Sequence, residues 1–299
     1  MNRKRSSLMI LAAGALWGCI SLFLKTLTAL GFSSFQAVAL RTGAAFLLLA
    51  AFLAATKPAL LRIRARDWPL FFGTGVLSLL FFNWCYFGAI AASGVSVAVV
   101  LLYTSPVFVV VLSAVFFGEA LTRRKLIALA LTILGCVLVA GLFSSGETIG
   151  ARAVLLGLGA GLGYALYSIF GRVALRKYDT MTITVWTFAF AAAGSLIGCL
   201  FEKGGAPFSA ALCPSGIFAV LGIALVACVL PYLLYTKGLS GVETGRAAIL
   251  AAVEPAVGAL IGITVFHEPM TPGKAAGMAL IFASILVLSV QEPARSAKR

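Results

Sequence analysis

The chain has 299 residues, of which 62% are apolar and 11% charged, with 23 Lys and Arg against 9 Asp and Glu. A soluble domain is roughly 45–50% apolar and about 25% charged, so this chain could not cover a water-facing surface with polar side chains. The composition excludes an ordinary cytosolic enzyme, a disordered chain and a nucleic-acid-binding domain, and it predicts an all-α membrane protein.

The N-terminus imitates a signal peptide, with Asn2-Arg3-Lys4-Arg5 ahead of an apolar stretch from Leu8. That stretch runs to about Leu24, long for a cleaved leader, and reads as a retained first span. A transmembrane helix needs about 20 mostly apolar residues. Ten stretches qualify in chain order: 8–28, 34–55, 68–91, 95–117, 124–142, 151–172, 180–201, 214–236, 244–266 and 273–291. The short connections leave no room for a soluble domain.

Basic residues set the orientation. With the N-terminus inside, 18 of the 23 fall on cytoplasmic segments, from Arg3-Lys4-Arg5 to Arg295, Lys298 and Arg299. Lys25, Arg152, Lys203 and Lys274 fall outside, and Arg41 lies within span two. This predicts an N-in, C-in chain with an even number of spans.

The halves repeat. At a separation of 149, Tyr86 matches Tyr235, Pro106 matches Pro255, Glu119 matches Glu268, Thr122 matches Thr271 and Lys125 matches Lys274. Earlier in each half the separation is 147, pairing Gly14 with Gly161, Ser21 with Ser168 and Phe23 with Phe170. The repeats are predicted over 1–143 and 144–299. Five spans each is an odd number, so the second repeat would enter the membrane inverted. Many secondary transporters are built this way, with substrate bound near the midplane between the halves.

Pro106…Phe117-Gly118-Glu119…Thr122…Lys125, echoed by Pro255…His267-Glu268…Thr271-Pro272…Lys274, resembles the EamA-type transporters of the drug/metabolite transporter superfamily. Trp17-Gly18 in span one adds to the likeness, which covers essentially the whole chain. The resemblance implies a multi-pass carrier of the bacterial inner membrane, usually an exporter of amino acids or other small metabolites, working by alternating access. The second copy departs at His267, where the family pattern has glycine.

Pro106 and Pro255 stand mid-way along spans four and nine, and Pro231 stands in span eight. Each removes an N–H and crowds the carbonyl four residues back, those of Leu102 and Ala251 in the first two cases. Such carbonyls need a partner or a cavity, so the prolines predict kinked helices around a central space.

Glu254 lies about ten residues into span nine. A carboxyl at that depth must face protein or water. It reads as a proton-coupling site, as a counter-charge for a substrate amine, or as a structural partner of Arg41 or of a freed helix carbonyl. Arg41 could instead snorkel or meet a substrate carboxylate, while Lys25 at the outer end of span one reads as snorkelling, with coupling or charge pairing alongside Glu254 and Arg41 as its other reading. Asn83 and Tyr86, Tyr164 and Tyr167, and Tyr232 and Tyr235 are each three apart, which places each pair on one helix face. Trp17, Asn83, Tyr86, Tyr103, Ser105, Tyr164, Tyr167, Trp186, Tyr232 and Glu254 form the predicted substrate set, with apolar bodies and polar tips suited to a metabolite. Interfacial aromatic belts are the competing reading.

Gly157, Gly159, Gly161 and Gly163 imitate a phosphate loop but fall inside a span, where small-residue spacing serves helix packing. Glu119 and Glu268 read as repeat-defining turns, with gating as the second reading, and Thr122 and Thr271 as caps of the following helices. Cys19, Cys85, Cys136, Cys199, Cys213 and Cys228 contain no C-x-x-C, and His267 is the one histidine, so no metal site or cofactor is expected. An intramembrane hydrolase would need a nucleophile and base, and the chain has no G-x-S-x-G.

The expectation is a non-enzymatic secondary transporter of a small-molecule substrate. It sits in the lipid bilayer as a monomer or homodimer, with no nucleic-acid partner. No ATP-binding module is present, so an ion or substrate gradient would drive it. A lipid or lipid-linked-sugar flippase on the same ten-helix scaffold is the alternative.

Overall fold

The computed structural model describes residues 2–142, 149–202 and 204–289. Every regular element among them is helical. Nine helices are long and apolar enough to cross a membrane: α1 (Arg3–Ala29), α2 (Ser34–Thr56), α3 (Ala65–Ser93), α4 (Val95–Phe117), α6 (Ala151–Ala174), α7 (Thr180–Cys199), α8 (Pro214–Leu239), α9 (Thr244–Thr264) and α10 (Pro272–Ser289). Between α4 and α6 lies a tenth helix, α5 (Arg123–Ala140), whose first turn holds Arg123, Arg124 and Lys125. Nine predicted spans thus match helices apolar along their length, and the fifth matches a helix with a cationic start. The predicted repeat boundary at 143/144 lies outside the described residues, as do Lys203, Arg295, Lys298 and Arg299.

Local chemistry fixes the helix starts. Ser33 and Gln36 form a capping box, with Gln36 N donating to Ser33 Oγ at 3.2 Å and Ser33 N to Gln36 Oε1 at 3.0 Å. Thr122 and Thr271 accept from the N–H of Lys125 and Lys274 at 3.3 and 3.2 Å, as their spacing predicts. Gly118 closes α4 in the left-handed region at φ 66°, where glycine carries no Cβ penalty. Its repeat counterpart, His267, adopts φ 56° with a side chain.

The packing obeys an exchange rule between the halves. The first helix of each half lies on the third and fourth of the other: α1 on α8 and α9, α6 on α3 and α4. The second helices pair, α2 with α7, and so do the fifth, α5 with α10. Glycine sets the last approach. A β-carbon added to Gly135 would lie 2.8 Å from Gly277 O, and one added to Gly277 would lie 2.6 Å from Gly135 O. Within a membrane, helices gain little from burying apolar surface, so close backbone contact of this kind drives association. Leu155, Leu200 and Phe201 are largely exposed on the rim, as lipid-facing side chains require.

Contacts sort the loops onto two ends. At one end, Arg3, Thr122, Arg124, Lys125, Glu243, Arg246 and Leu288 surround a single hollow. Arg172 joins that end by donating to Leu239 O and Val242 O, and Lys177 meets Asp67 at 2.5 Å. At the other end, Ala206 N donates to Gly31 O at 2.9 Å, and Lys25 Nζ sits 3.3 Å over the Phe266 ring.

Candidate substrate site

The centre of the bundle is built from broken helices. In α4 the first segment ends at Leu102, Tyr103 and Thr104 form a turn, and a second segment starts at Ser105. In α9 the first segment ends at Ala251, Ala252 and Val253 form the turn, and the second starts at Glu254. Pro106 and Pro255 therefore sit in the first turn of a new segment, where a missing N–H costs nothing. These two helices break just ahead of the proline. Thr104 partly covers its break, its hydroxyl donating to Leu101 O at 2.6 Å.

Each break rests on a glycine of the opposite half. A β-carbon at Gly14 would lie 2.5 Å from Ala251 O, and one at Gly161 would lie 2.7 Å from Thr104 Oγ1 and 3.1 Å from Leu101 O. These are the two glycines that the 147-residue offset pairs. Pro231 behaves differently. It follows a π-helical stretch, Ile223–Val229, inside an otherwise continuous α8. The equivalent stretch of α3, Gly73–Leu80, is also π-helical, although Phe82 stands where Pro231 would be. The π turn is thus a property of the repeated fold. Such bulges are frequent at functional sites.

A cavity of about 60 Å³ opens between the halves, lined by Trp17, Ile20, Arg41, Thr42, Leu79, Phe82, Tyr164, Ala227, Cys228, Tyr232 and Glu254. It has room for a few waters. Tyr164 Oη donates to Glu254 Oε2 at 3.1 Å. Trp17 packs edge-on to Tyr164 and Tyr232, with ring centroids 6.1 and 5.3 Å apart. Arg41 Nη2 donates to Asn83 Oδ1 at 2.9 Å, and Asn83 Nδ2 donates to Leu79 O at 2.6 Å. Arg41 Nε is buried with no hydrogen-bond partner. Among the described residues no ion pair joins Arg41 to Glu254. A carboxyl and a guanidinium thus border one cavity without forming an ion pair.

Of the predicted substrate set, Trp17, Tyr164, Tyr232 and Glu254 line this cavity together with Arg41. Asn83 stands behind Arg41 and orients it. Tyr86 stacks on Phe82, centroids 5.8 Å apart, one layer back. Tyr103 and Ser105 are buried at the α4 break, outside the cavity wall. Tyr167 lies behind Tyr232, bonded to Thr236 at 2.7 Å. Trp186 of that set and the charge-pairing candidate Lys25 go elsewhere. Trp186 Nε1 donates to Leu61 O at 3.1 Å, which anchors α7 on the α2–α3 loop. Lys25 is exposed, with its Nζ over the Phe266 ring at the end of the bundle, outside the cavity wall. Sequence reasoning missed Ile20, Thr42, Leu79, Phe82, Ala227 and Cys228, whose residue types are unremarkable within spans. Phe82 carried one signal, as the counterpart of Pro231. All six cysteines are free, and no metal-holding cluster occurs among the described residues.

The sequence pattern of the EamA-like transporter family matches residues 4–141 and again residues 151–290. The chain belongs to the EamA-like transporter family. It is a multi-pass membrane protein of the cell membrane and a membrane transporter. Transporter YwfM of Bacillus subtilis (strain 168) is 27% identical over 288 residues, covering 95% of this chain and 93% of YwfM. The threonine/homoserine exporter RhtA of Escherichia coli (strain K12) is 27% identical over 217 residues, covering 72% and 68%. A crystal structure at 20% identity superposes with a TM-score of 0.83 over 96% of this chain and 97% of the other, so the two share a fold along their length.

Proposed function

We propose that this EamA-like transporter exports small zwitterionic metabolites, amino acids foremost, by alternating access to the cavity between its halves. The observation that carries the reading is the Glu254 carboxyl and the Arg41 guanidinium bordering one cavity without an ion pair between them. Glu254 offers a carboxylate to an ammonium, and Arg41 offers an unused buried Nε and a guanidinium edge to a carboxylate. Trp17, Tyr164 and Tyr232 supply apolar walls with polar tips. RhtA, named for threonine and homoserine, exports molecules with that pair of charged groups. Glu254 is also the group that could carry a proton against the substrate, since it meets the cavity and a hydroxyl rather than a fixed cation.

The topology in this reading is ten crossings in two inverted five-helix repeats, with both termini inside. Segments assigned to the cytoplasm by charge converge on one end of the bundle, and the α1–α2, α7–α8 and α9–α10 connections meet at the other. An odd number of crossings would mix the two groups. The exchange rule of the packing fits halves related by inversion. Cysteine reporters placed at 64 and 206 and labelled from either side of right-side-out vesicles check this. Labelling of both from one side would overturn it.

The test of function uses proteoliposomes with wild-type protein or Glu254→Gln, loaded with a mixture of amino acids, with and without an imposed pH gradient. The expected result is selective efflux that follows the gradient and is lost in Glu254→Gln. Efflux indifferent to pH in both proteins would remove Glu254 from coupling. No amino-acid efflux from folded protein would overturn the substrate class.

A further inference from the structure

The ends of α4 and α9 are chemically matched but structurally unlike. Glu119, just past α4, accepts hydrogen bonds from the N–H groups that open α9, Thr244 at 2.5 Å and Gly245 at 3.0 Å. A helix start offers unpaired N–H groups and a positive dipole end, so a carboxylate is held there firmly. Lys125 reinforces it at 3.6 Å and bridges to Glu243 at 2.7 Å, and the Glu119 side chain is only 8% exposed. Behind this contact the helices close tightly. Thr244–Ala251 packs on Ser105–Phe117, and a β-carbon at Gly245 would stand 3.1 Å from Val110 Cγ2 and 3.4 Å from Ser113 Oγ.

The 149-residue offset maps the carboxylate, its lysine and its helix start onto a second copy, while Glu243 falls on Gly94 and has no counterpart. Glu119 becomes Glu268, Lys125 becomes Lys274, Thr244 and Gly245 become Val95 and Ser96, and Ser113 becomes Gly262. The second copy is disengaged. Glu268 is 47% exposed and pairs with Lys274 at 2.9 Å. Among the described residues no carboxylate reaches the N–H of Val95 or Ser96. Glu254–Thr264 makes no packing on Val95–Leu102 comparable to the first interface. The second interface nevertheless has small residues at the matching positions, Gly262 for Ser113 and Ser96 for Gly245. Its space is filled meanwhile by Glu268 itself, whose Oε2 would lie 2.8 Å from a β-carbon at Gly262.

We infer that Glu119 and Glu268 are exchanging latches: each carboxylate closes one end of the α4–α9 pair by gripping the start of the other helix, and one engages as the other releases. This rests on the alternating-access reading and deepens it. In the state described, the Glu119 end is shut. By the charge assignment that end is cytoplasmic, so the cavity would open outward. In the opposite state Glu268 leaves Lys274 and Gly262, accepts from Val95 and Ser96, and lets Ser96 settle on Gly262.

Disulfide trapping tests the latch without any substrate. In full-length protein lacking its six native cysteines and reconstituted in liposomes, Ser113→Cys with Gly245→Cys reports the shut Glu119 end. Ser96→Cys with Gly262→Cys reports the shut Glu268 end. Both pairs are expected to cross-link. Glu119→Gln should raise the Ser96→Cys/Gly262→Cys yield relative to the other pair by roughly tenfold, the shift expected from losing one charge-assisted hydrogen bond, and Glu268→Gln should move the ratio the opposite way. Glu268 is exposed, so its variant remains informative even if Glu119→Gln folds poorly. Absence of the Ser96→Cys/Gly262→Cys cross-link, or a ratio that ignores Glu268→Gln, would overturn the latch. Opposite shifts without amino-acid efflux would uphold the latch and sink the substrate reading; efflux with an unmoved ratio would do the reverse.

Discussion

Tyr164 and Glu254 meet at 3.1 Å within the second half, joining α6 to α9. Tyr164 comes from the first helix of the second repeat, and Glu254 opens the second segment of a broken helix. The bond exists because α9 breaks there and presents the carboxylate at a helix start, facing the α6 aromatic. Tyr164→Phe removes only the donor and keeps the ring against Trp17. The expected loss of stability is on the order of 1 kcal/mol, with a larger loss of transport. Thermal unfolding and efflux on the same preparation check this; unchanged efflux would take Tyr164 out of the site.

Gly14 and Gly161 are predicted to tolerate no side chain, for a reason their neighbours make explicit. Gly14→Ala would drive a methyl to 2.5 Å from the Ala251 carbonyl, whereas Gly43→Ala meets nothing within 4 Å. Overpacking of this kind costs about 1–3 kcal/mol. Melting temperatures should fall for Gly14→Ala and Gly161→Ala and hold for Gly43→Ala. Equal behaviour of Gly14 and Gly43 would mean that the break does not rest on Gly14.

His267 holds the left-handed backbone that Gly118 holds in the first copy. A side chain there costs roughly 1–2 kcal/mol. His267→Gly should therefore stabilise the protein by up to that amount, and Gly118→Ala should destabilise it similarly. Denaturation of the two variants side by side reads the sign; a destabilised His267→Gly would show that the imidazole contributes more than the strain.

The Glu119 carboxyl feels opposing influences. Burial pushes its pKa up, but the N–H groups of Gly245 and Thr244 and the Lys125 ammonium outweigh burial and hold it below the usual carboxylate value. A depressed pKa in the folded state means stabilisation that is complete above the unfolded value and lost as pH falls through the folded one. The stability gap between wild type and Glu119→Gln should thus stay constant from pH 8 down to about 5 and shrink only below the ordinary carboxylate range of about 4.3. A gap that closes near pH 6 would contradict the hydrogen bonding described.

Much of the architecture was legible as pattern. Apolar run length marked the helices, Thr122 and Thr271 marked two starts, and scarce residues repeating at 147 and 149 marked two copies. The site was legible only in part. Glu254 and Arg41 stood out because charge is costly at membrane depth. Leu79, Thr42 and Cys228 did not, because such residues are ordinary inside a span. Trp186 shows the converse error. A tryptophan in a span looks like a binding residue until its Nε1–H is seen to reach Leu61 O.

What the sequence determined by itself was therefore one-dimensional: where the chain enters an apolar phase, and that it does so twice in related ways. These follow from transfer energies, which each segment settles almost alone. The tertiary structure decided which face of each helix turned inward. It also decided that α4 and α9 break ahead of their prolines, and that Glu119 is engaged while Glu268 is not. That last difference is invisible in two matching motifs, because it depends on which end of the α4–α9 pair is closed.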